Sequence, residues 1–265
     1  MDHFPLSWGR PLDDSHDAFN TYPLHKRPQS HTDTFSEGVQ HTQQPIVTGT
    51  SVLAIKYKDG IMMAADTLAS YGSLARFKSI TRLHAVGSST LVGASGDMSD
   101  FQYIQTLLEN LVRDEYTAGD HHDLGPAEIH EYLSRVLYNR RSKMNPLWNS
   151  LLVGGIKDGK PFLSYVDLLG TTYSSPSIAT GYGAYIAIPL LRNVVDGNED
   201  TLTEEEARKI IQDCMRVLFY RDARSLNKYQ IGTVTEKGVT ISDPIIIETS
   251  WSFAEGIRGY GSQTQ

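Results

Sequence analysis

The chain contains 265 residues, of which 40% are hydrophobic and 21% charged, as is typical of a globular protein with one large or two small domains. A net charge of −7 argues against a surface for nucleic acid or anionic membranes, and no apolar run approaches the ~18 residues of a membrane span. The single cysteine, Cys214, excludes an intrachain disulfide, and the N-terminus does not resemble a signal peptide. We therefore expect an intracellular protein that binds neither nucleic acid nor membrane.

The first 44 residues differ in composition from the rest of the chain. They are rich in His, Pro, Ser, Asp and Gln, and they show neither helical nor strand periodicity. Such a segment buries too little apolar surface to offset the entropy lost on ordering. We expect residues 1–41 to form a removable propeptide or a disordered arm, and order to begin near Pro45.

Hydrophobic patterning predicts hairpins and helices along the remainder of the chain. Strand patterns lie at 51–57, 60–66, 79–86, 89–96, in two runs within 151–170, and in a hairpin over 229–242. Amphipathic stripes predict helices over 100–116, 125–141 and 204–223, with a further apolar segment at 184–195. Thr203 and Glu206 have the spacing of a capping box, which marks the start of the third helix. Hairpins and helices in separate runs indicate a layered α+β fold rather than alternating βαβ units.

Several residue clusters favour structural over chemical roles. The nine histidines include no HExxH pattern, and one cysteine cannot form a CxxC pair, so we expect no metal site. The glycines at 92–97 and 179–185 match no phosphate-binding motif, so we expect no nucleotide or other cofactor. Cys214 lies within a predicted helix, where a buried structural thiol is the simpler interpretation.

The segment "GTSVLAIKYKDGIMMAAD" places Thr50 after a glycine and before a strand, with Asp66 sixteen residues later. It resembles the opening of proteasome beta-type subunits, as "YRDARS" (220–225) and "TVTEKGV" resemble later motifs of that family. The resemblance runs from about Thr48 to Asp243, and other segments, including "RRSKMNPLWN", resemble one non-catalytic type of beta subunit. It implies an αββα sandwich of the N-terminal-nucleophile hydrolase fold, with two antiparallel sheets between helix layers, over residues 42–249.

The resemblance also assigns roles to individual residues. Active relatives use a threonine nucleophile whose freed α-amine is the base, a lysine oriented by an aspartate, and a supporting aspartate with two serines. Thr50 matches the nucleophile and Asp66 the orienting carboxylate, while Asp222 and Ser225 match the supporting pair.

The lysine and one serine of the family pattern have no match. The lysine position falls on Ser79 by motif or on Arg82 by gapless counting, and neither supplies a compact ammonium. Tyr182 replaces the other serine, and we expect its ring to fill space beside the Thr50 amine. The match therefore indicates a vestigial site without a catalytic residue.

Two functions follow from the resemblance. The first is a non-catalytic subunit of the proteasome core particle, in the cytoplasm and nucleus. Its partners would be other alpha and beta subunits in stacked seven-membered rings, including the opposite beta ring, and assembly chaperones. The alternative is a threonine peptidase activated by cleavage between Gly49 and Thr50. If the chain is the non-catalytic subunit, we expect the propeptide to be cleaved between His41 and Thr42 rather than before Thr50.

The C-terminal segment 250–265 follows the final strand signal, yet it remains rich in large apolar side chains. These are Trp251, Phe253, Ile257 and Tyr260. Exposed aromatic residues often mark a partner surface. We expect this tail to contact another subunit, and the alternative is that it folds back on its own domain.

Overall fold

Two antiparallel β-sheets face one another in the computed structural model, which describes residues 44–119 and 122–254. The larger sheet has the strand order β10-β9-β8-β7-β1-β4-β5, and β6 also pairs with β7. Its strands are β1 (Val47–Gly49), β4 (Ala69–Tyr71), β5 (Leu74–Phe77), β6 (Leu83–Val86), β7 (Thr90–Asp97), β8 (Asn149–Lys157), β9 (Lys160–Asp167) and β10 (Thr172–Ser174).

The smaller sheet has the order β11-β2-β3-β12-β13, and β14 also pairs with β12. Its strands are β2 (Val52–Tyr57), β3 (Gly60–Asp66), β11 (Ser177–Ala179), β12 (Lys228–Thr235), β13 (Gly238–Ile241) and β14 (Ile245–Ile246). The chain therefore passes from the larger sheet to the smaller one between β1 and β2, at residues 50 and 51.

Helices cover the outer face of each sheet. They are α1 (Met98–Ala118), α2 (Pro126–Ser142), α3 (Gly183–Ile186), α4 (Ile188–Val195) and α5 (Glu204–Arg221). The predicted capping box of α5 is present, because Glu206 Oε2 accepts from Thr203 N at 3.0 Å while Thr203 Oγ1 accepts from Glu206 N at 3.4 Å.

Strand alternation explains why three hydrophobic layers form. On β3, Met62 and Ala64 face the helices α4 and α5, whereas Ile61, Met63 and Ala65 face the other sheet. Since both faces of β3 are covered, every one of its residues is buried. A third apolar layer packs α1 and α2 against the larger sheet.

Close contact between the sheets requires a small residue on β7. A Cβ at Gly93 would lie 2.5 Å from Met63 Sδ and 2.8 Å from Val52 Cγ1. Any larger side chain at this position would therefore displace the side chains packed between the two sheets.

The predicted α+β four-layer sandwich is confirmed, with two antiparallel sheets between helices. The strand predicted over 79–86 is too long, because only Leu83–Val86 pairs with β7 and Arg82 is buried ahead of it. The short strands β1, β4 and β5 were not predicted, since three or four residues carry too little periodicity.

Among the described residues, no helix is long and apolar enough to cross a membrane. Within the same ranges, no group of three or more His, Cys, Asp or Glu side chains is arranged to hold a metal ion.

The thiol of Cys214 provides a test of the packing between α5 and the smaller sheet. This residue is fully buried, and burial raises the pKa of its thiol to about 12. Because only the thiolate reacts with alkylating agents, a raised pKa leaves roughly one thiol in ten thousand reactive at about pH 8. We expect no modification of the native chain by iodoacetamide and complete modification after denaturation, as measured by intact mass. Rapid alkylation of the native chain would contradict this packing.

Candidate functional site

Thr50 lies at the crossing between the two sheets, and its hydroxyl is held by a carboxylate. Thr50 Oγ1 donates to Asp222 Oδ2 at 2.6 Å. Asp222 is buried at the C-terminal end of α5, where its Oδ1 accepts from Arg224 N at 2.9 Å. The structure therefore brings together two residues that are 172 positions apart in the chain, as the family pattern predicts.

A buried ion pair lies beside this threonine. Arg82 Nη1 is 2.5 Å from Asp66 Oδ1, and both side chains are almost completely buried. Asp66 Oδ2 accepts from Leu226 N at 2.9 Å, so both carboxylate oxygens have a donor. Burial raises the pKa of Asp66, while the positive charge of Arg82 opposes that rise. Burial lowers the pKa of Arg82, and the Asp66 charge opposes this change in turn.

Arg82 also binds three backbone carbonyl groups. Its Nη2 donates to Thr50 O and, at 3.0 Å, to Ser51 O, and its Nε donates to Ala94 O at 3.2 Å. A guanidinium offers donors in a fixed fork and does not release a proton in proteins. Arg82 therefore fixes the backbone at the crossing, and it is unsuited to exchange protons with Thr50.

Of the two positions that the sequence left open for the missing lysine, Arg82 is the one that contacts Asp66. Ser79 is exposed in the loop after β5. The gapless count thus places the substituted residue correctly, and the motif-based assignment to Ser79 does not. Sequence reasoning did not identify the bonds from Arg82 to the carbonyl groups, for which the chain carries no motif.

The segment before Thr50 forms a strand inside the larger sheet. In β1, Thr48 pairs with Ser70 of β4 on one side and with Asp97 of β7 on the other. Ile46 N adds a bond to Asp97 Oδ2 at 2.8 Å, just ahead of the strand. In the uncut chain, the residues before Thr50 are therefore held from both sides.

Gly49 packs directly under Arg82. A Cβ at this position would lie 2.4 Å from Arg82 Nε and 2.9 Å from its Cζ. Only glycine leaves room for the guanidinium, so the strand, the crossing and the ion pair fit together as one unit.

The remaining family positions are near the site but differ in role. Ser225 Oγ donates to Asp222 O at 2.7 Å, so it braces the backbone of the supporting aspartate. Gly183 N donates to Ser51 Oγ at 2.8 Å, which places the 181–183 loop beside the crossing. Tyr182 is 60% exposed, and its ring position beside Thr50 stays a prediction. Its neighbours Gly181 and Gly183 lie against Ser51.

Other predicted contact residues lie partly outside the described ranges. His41 and Thr42, the proposed cleavage position, are outside them, as are Ile257 and Tyr260 of the tail. Trp251 and Phe253 are described, and both pack against Tyr220 of α5. The start of the tail thus contacts its own domain, which is the alternative that the sequence left open.

Comparison with known proteins shows one family over most of the chain. A family model described as "Proteasome subunit" matches residues 46–234. The chain is 53% identical over 222 residues to proteasome subunit beta type-4 of Xenopus laevis, covering 84% of this chain and 91% of the relative. It is 50% identical over 260 residues to a probable proteasome subunit beta type-7 of Schizosaccharomyces pombe, covering 97% and 96%. It is 47% identical over 272 residues to proteasome subunit beta type-7 of Saccharomyces cerevisiae, covering 99% of each.

The contact between Gly49 and Arg82 predicts the effect of one added methyl group. We expect Gly49→Ala to lower the free energy of unfolding by about 1–3 kcal/mol, because the new Cβ overlaps the buried guanidinium. Thermal or urea unfolding of the full chain measures this change. Thr48→Ala on the same strand adds no volume and serves as the matched control. Equal stability of Gly49→Ala and the unaltered chain would show that the contact is looser than described.

Proposed function

Since this chain belongs to the proteasome subunit family, with beta subunits as its relatives, we propose that it is a non-catalytic beta subunit of the core particle. The observation that carries the proposal is the position of Arg82, which binds Asp66 and the carbonyl groups of Thr50 and Ser51. The guanidinium of Arg82 therefore holds the backbone in place beside the nucleophile position.

The chemistry of an N-terminal threonine requires a free α-amine. Such an amine has an ordinary pKa near ~8 and can accept the hydroxyl proton, whereas an amide nitrogen cannot. In the uncut chain the nitrogen of Thr50 is an amide, and the preceding residues pair with β4 and β7. The hydroxyl has a carboxylate acceptor in Asp222, and the cation that contacts Asp66 beside it is the guanidinium of Arg82 rather than an ammonium.

The alternative function is an active threonine peptidase released by cleavage between Gly49 and Thr50. That cleavage would have to separate β1 from β2 while Arg82 continues to hold the carbonyl groups of Thr50 and Ser51. It would also leave an arginine where active relatives carry a lysine. The packing of Gly49 against Arg82 therefore favours an extension that stays attached.

In this proposal the subunit contributes to the assembly and the shape of the core particle. It completes a seven-membered beta ring, contacts neighbouring alpha and beta subunits and the opposite beta ring, and is assembled with the help of chaperones. The particle would act in ATP- and ubiquitin-dependent protein degradation in the cytoplasm and nucleus. The subunit would form part of the wall of the chamber in which other subunits hydrolyse peptides.

The N-terminus of the mature chain separates the two functions. We expect it to begin at Thr42, after a cut that follows His41 and is made by active neighbours, so that residues 42–49 stay in front of Thr50. N-terminal sequencing and intact mass of the chain from purified particles measure this. A chain that begins at Thr50 would support the peptidase and overturn the proposal, and a chain that retains residues 1–41 would refute the cleavage position alone.

Removal of the Thr50 hydroxyl tests whether it has a catalytic role. We expect Thr50→Ala to leave all peptidase rates of the assembled particle within about twofold, since no transition-state interaction is lost. An irreversible threonine-directed inhibitor should leave this chain unlabelled in peptide maps. The same substitution at the nucleophile of a catalytic subunit is the positive control. Loss of one activity in Thr50→Ala, or a covalent adduct on Thr50, would refute the inactive assignment.

A further inference from the structure

Asp97 lies where strand β7 ends and helix α1 begins, and its carboxylate binds two separate parts of the chain. Its Oδ1 accepts from Ser99 N at 2.9 Å and from Asp100 N at 3.1 Å, which caps the first turn of α1. Its Oδ2 accepts from Ile46 N at 2.8 Å, ahead of strand β1. One carboxylate therefore holds the start of a helix with one oxygen and the segment before Thr50 with the other.

The backbone of Asp97 is fixed as well. Asp97 N donates to Trp148 O at 2.8 Å, and Asn149 Nδ2 donates to Asp97 O at 2.8 Å. Asp97 is 6% exposed. Because both backbone groups and both carboxylate oxygens are bonded, the side chain presents Oδ2 to Ile46 in one fixed position, unlike a carboxylate on a flexible surface side chain.

The bond from Ile46 continues the pairing of β1 beyond the end of β7. Within the strands, Thr48 pairs with Asp97. The same antiparallel register would bring Ile46 opposite Ser99, but Ser99 belongs to the first turn of α1. The carboxylate of Asp97 supplies the acceptor for Ile46 N where the strand no longer does. Asp97 thus extends the ladder by one hydrogen bond towards the N-terminus.

The burial of the chain changes at the same place. Residues 44–46 are exposed, residues 47 and 48 are half-buried, and Gly49 is buried. Pro45 has no N–H group, so the Ile46 amide is the first donor after it that the fold can bind. We define the extension as residues 42–49, the part of the chain that would stay in front of Thr50. Its held part begins at Ile46.

Proteolysis of a paired segment requires the segment to open first. An active site binds the residues on both sides of the cleaved bond in an extended, accessible conformation. When opening and closing are fast, the rate of cleavage follows the population of the open form. Four residues, 42–45, separate Ile46 from the proposed cut after His41. Trimming beyond Pro45 would need residues that Asp97, β4 and β7 hold, and so it is slowed by the cost of opening them.

We propose that Asp97 is a positioning residue that sets the length of the extension. By holding Ile46 N it keeps β1 closed, so that trimming by the active sites of neighbouring subunits stops ahead of Ile46. The inference rests on the proposed function for the source of the trimming. It assigns the survival of the extension to the carboxylate that caps α1, in addition to the contact between Gly49 and Arg82.

The first test separates the two oxygens of Asp97. Asparagine caps helices about as well as aspartate, so Asp97→Asn keeps the bonds from Ser99 N and Asp100 N. Its amide nitrogen cannot accept from Ile46 N, so that bond is lost. We expect about tenfold faster hydrogen–deuterium exchange at the Ile46 amide of the full chain, with unchanged exchange at Ser99 and Asp100.

Two further variants control this measurement. Asp114→Asn, at an exposed position of α1, removes the same charge and is the matched control. Asp97→Ala removes both sets of bonds and should speed exchange at Ile46 and at the start of α1 alike. Equal exchange at Ile46 in Asp97→Asn and the unaltered chain would overturn the hold on the extension. Exchange that is faster by the same factor at Ile46 and throughout α1 in Asp97→Asn would show a merely structural role and refute the proposal.

The second test follows cleavage of the purified full chain by thermolysin, which cuts before large apolar residues. We expect the Ile46–Val47 bond to be cut about tenfold faster in Asp97→Asn than in the unaltered chain or Asp114→Asn, because the open form is more populated. Mass spectrometry of the fragment that begins at Val47 measures the rate. An unchanged rate in Asp97→Asn would show that Asp97 does not protect the extension.

The third test measures the extension in assembled core particles by N-terminal sequencing and intact mass. We expect the unaltered chain and Asp114→Asn to begin ahead of Ile46, and Asp97→Asn to include chains that begin at Val47 or later. If the chain is absent from core particles, the proposed function fails, while exchange and thermolysin cleavage still decide whether Asp97 protects Ile46. If Asp97→Asn enters particles with the N-terminus of the unaltered chain, the length-setting role is refuted and the proposed function stands.

Discussion

The guanidinium of Arg82 is the interaction on which the centre of this structure depends. It binds Asp66 on the smaller sheet, Ala94 on the larger sheet, and the two carbonyl groups where the chain crosses between them. Removing one partner of a buried ion pair commonly costs about 3–5 kcal/mol, because the other charge is left without compensation. The same residue that departs from the family's catalytic pattern therefore joins the two sheets.

This arrangement explains how the chain can keep most residues of the family's site for structural reasons alone. Asp222 closes the end of α5 and holds the hydroxyl of Thr50, and Ser225 braces the backbone of Asp222. Each of these side chains satisfies a buried or half-buried polar group whether or not chemistry occurs. These residues thus have structural roles of their own, and matching residues alone do not demonstrate activity.

The sequence predicted the parts of the structure that repeat locally. Alternation along 60–66 and the capping box at Thr203 are properties of neighbouring residues, and both are present. Strand β1 could not be predicted, because it has three residues and is stabilised by pairing with β4 and β7. The direction of the Tyr182 ring depends on the space left by distant elements, which spacing does not encode.

Sequence patterns also do not show which distant residues meet at the crossing between the sheets or at the C-terminal end of the domain. Motif matching placed the missing lysine at Ser79, and only the path of the chain into the core distinguishes Arg82 from it. Similarly, an aromatic tail signals burial, but its composition does not say against which surface. Contacts over long chain distances decide the first question, and they decide the second only for Trp251 and Phe253, which pack on Tyr220.

The packing of Gly49 under Arg82 also constrains which substitutions positions 49 and 82 can accept. The guanidinium of Arg82 donates to four acceptors, whereas an ammonium has three donors, so Arg82→Lys would leave a buried oxygen without a partner. Gly49 could accept a larger residue only after that substitution. Arg82→Lys is therefore unfavourable by itself, and position 49 is restricted to glycine for as long as Arg82 is present. The two positions are therefore coupled, because the guanidinium that requires glycine at position 49 is the same group that binds the four buried oxygens.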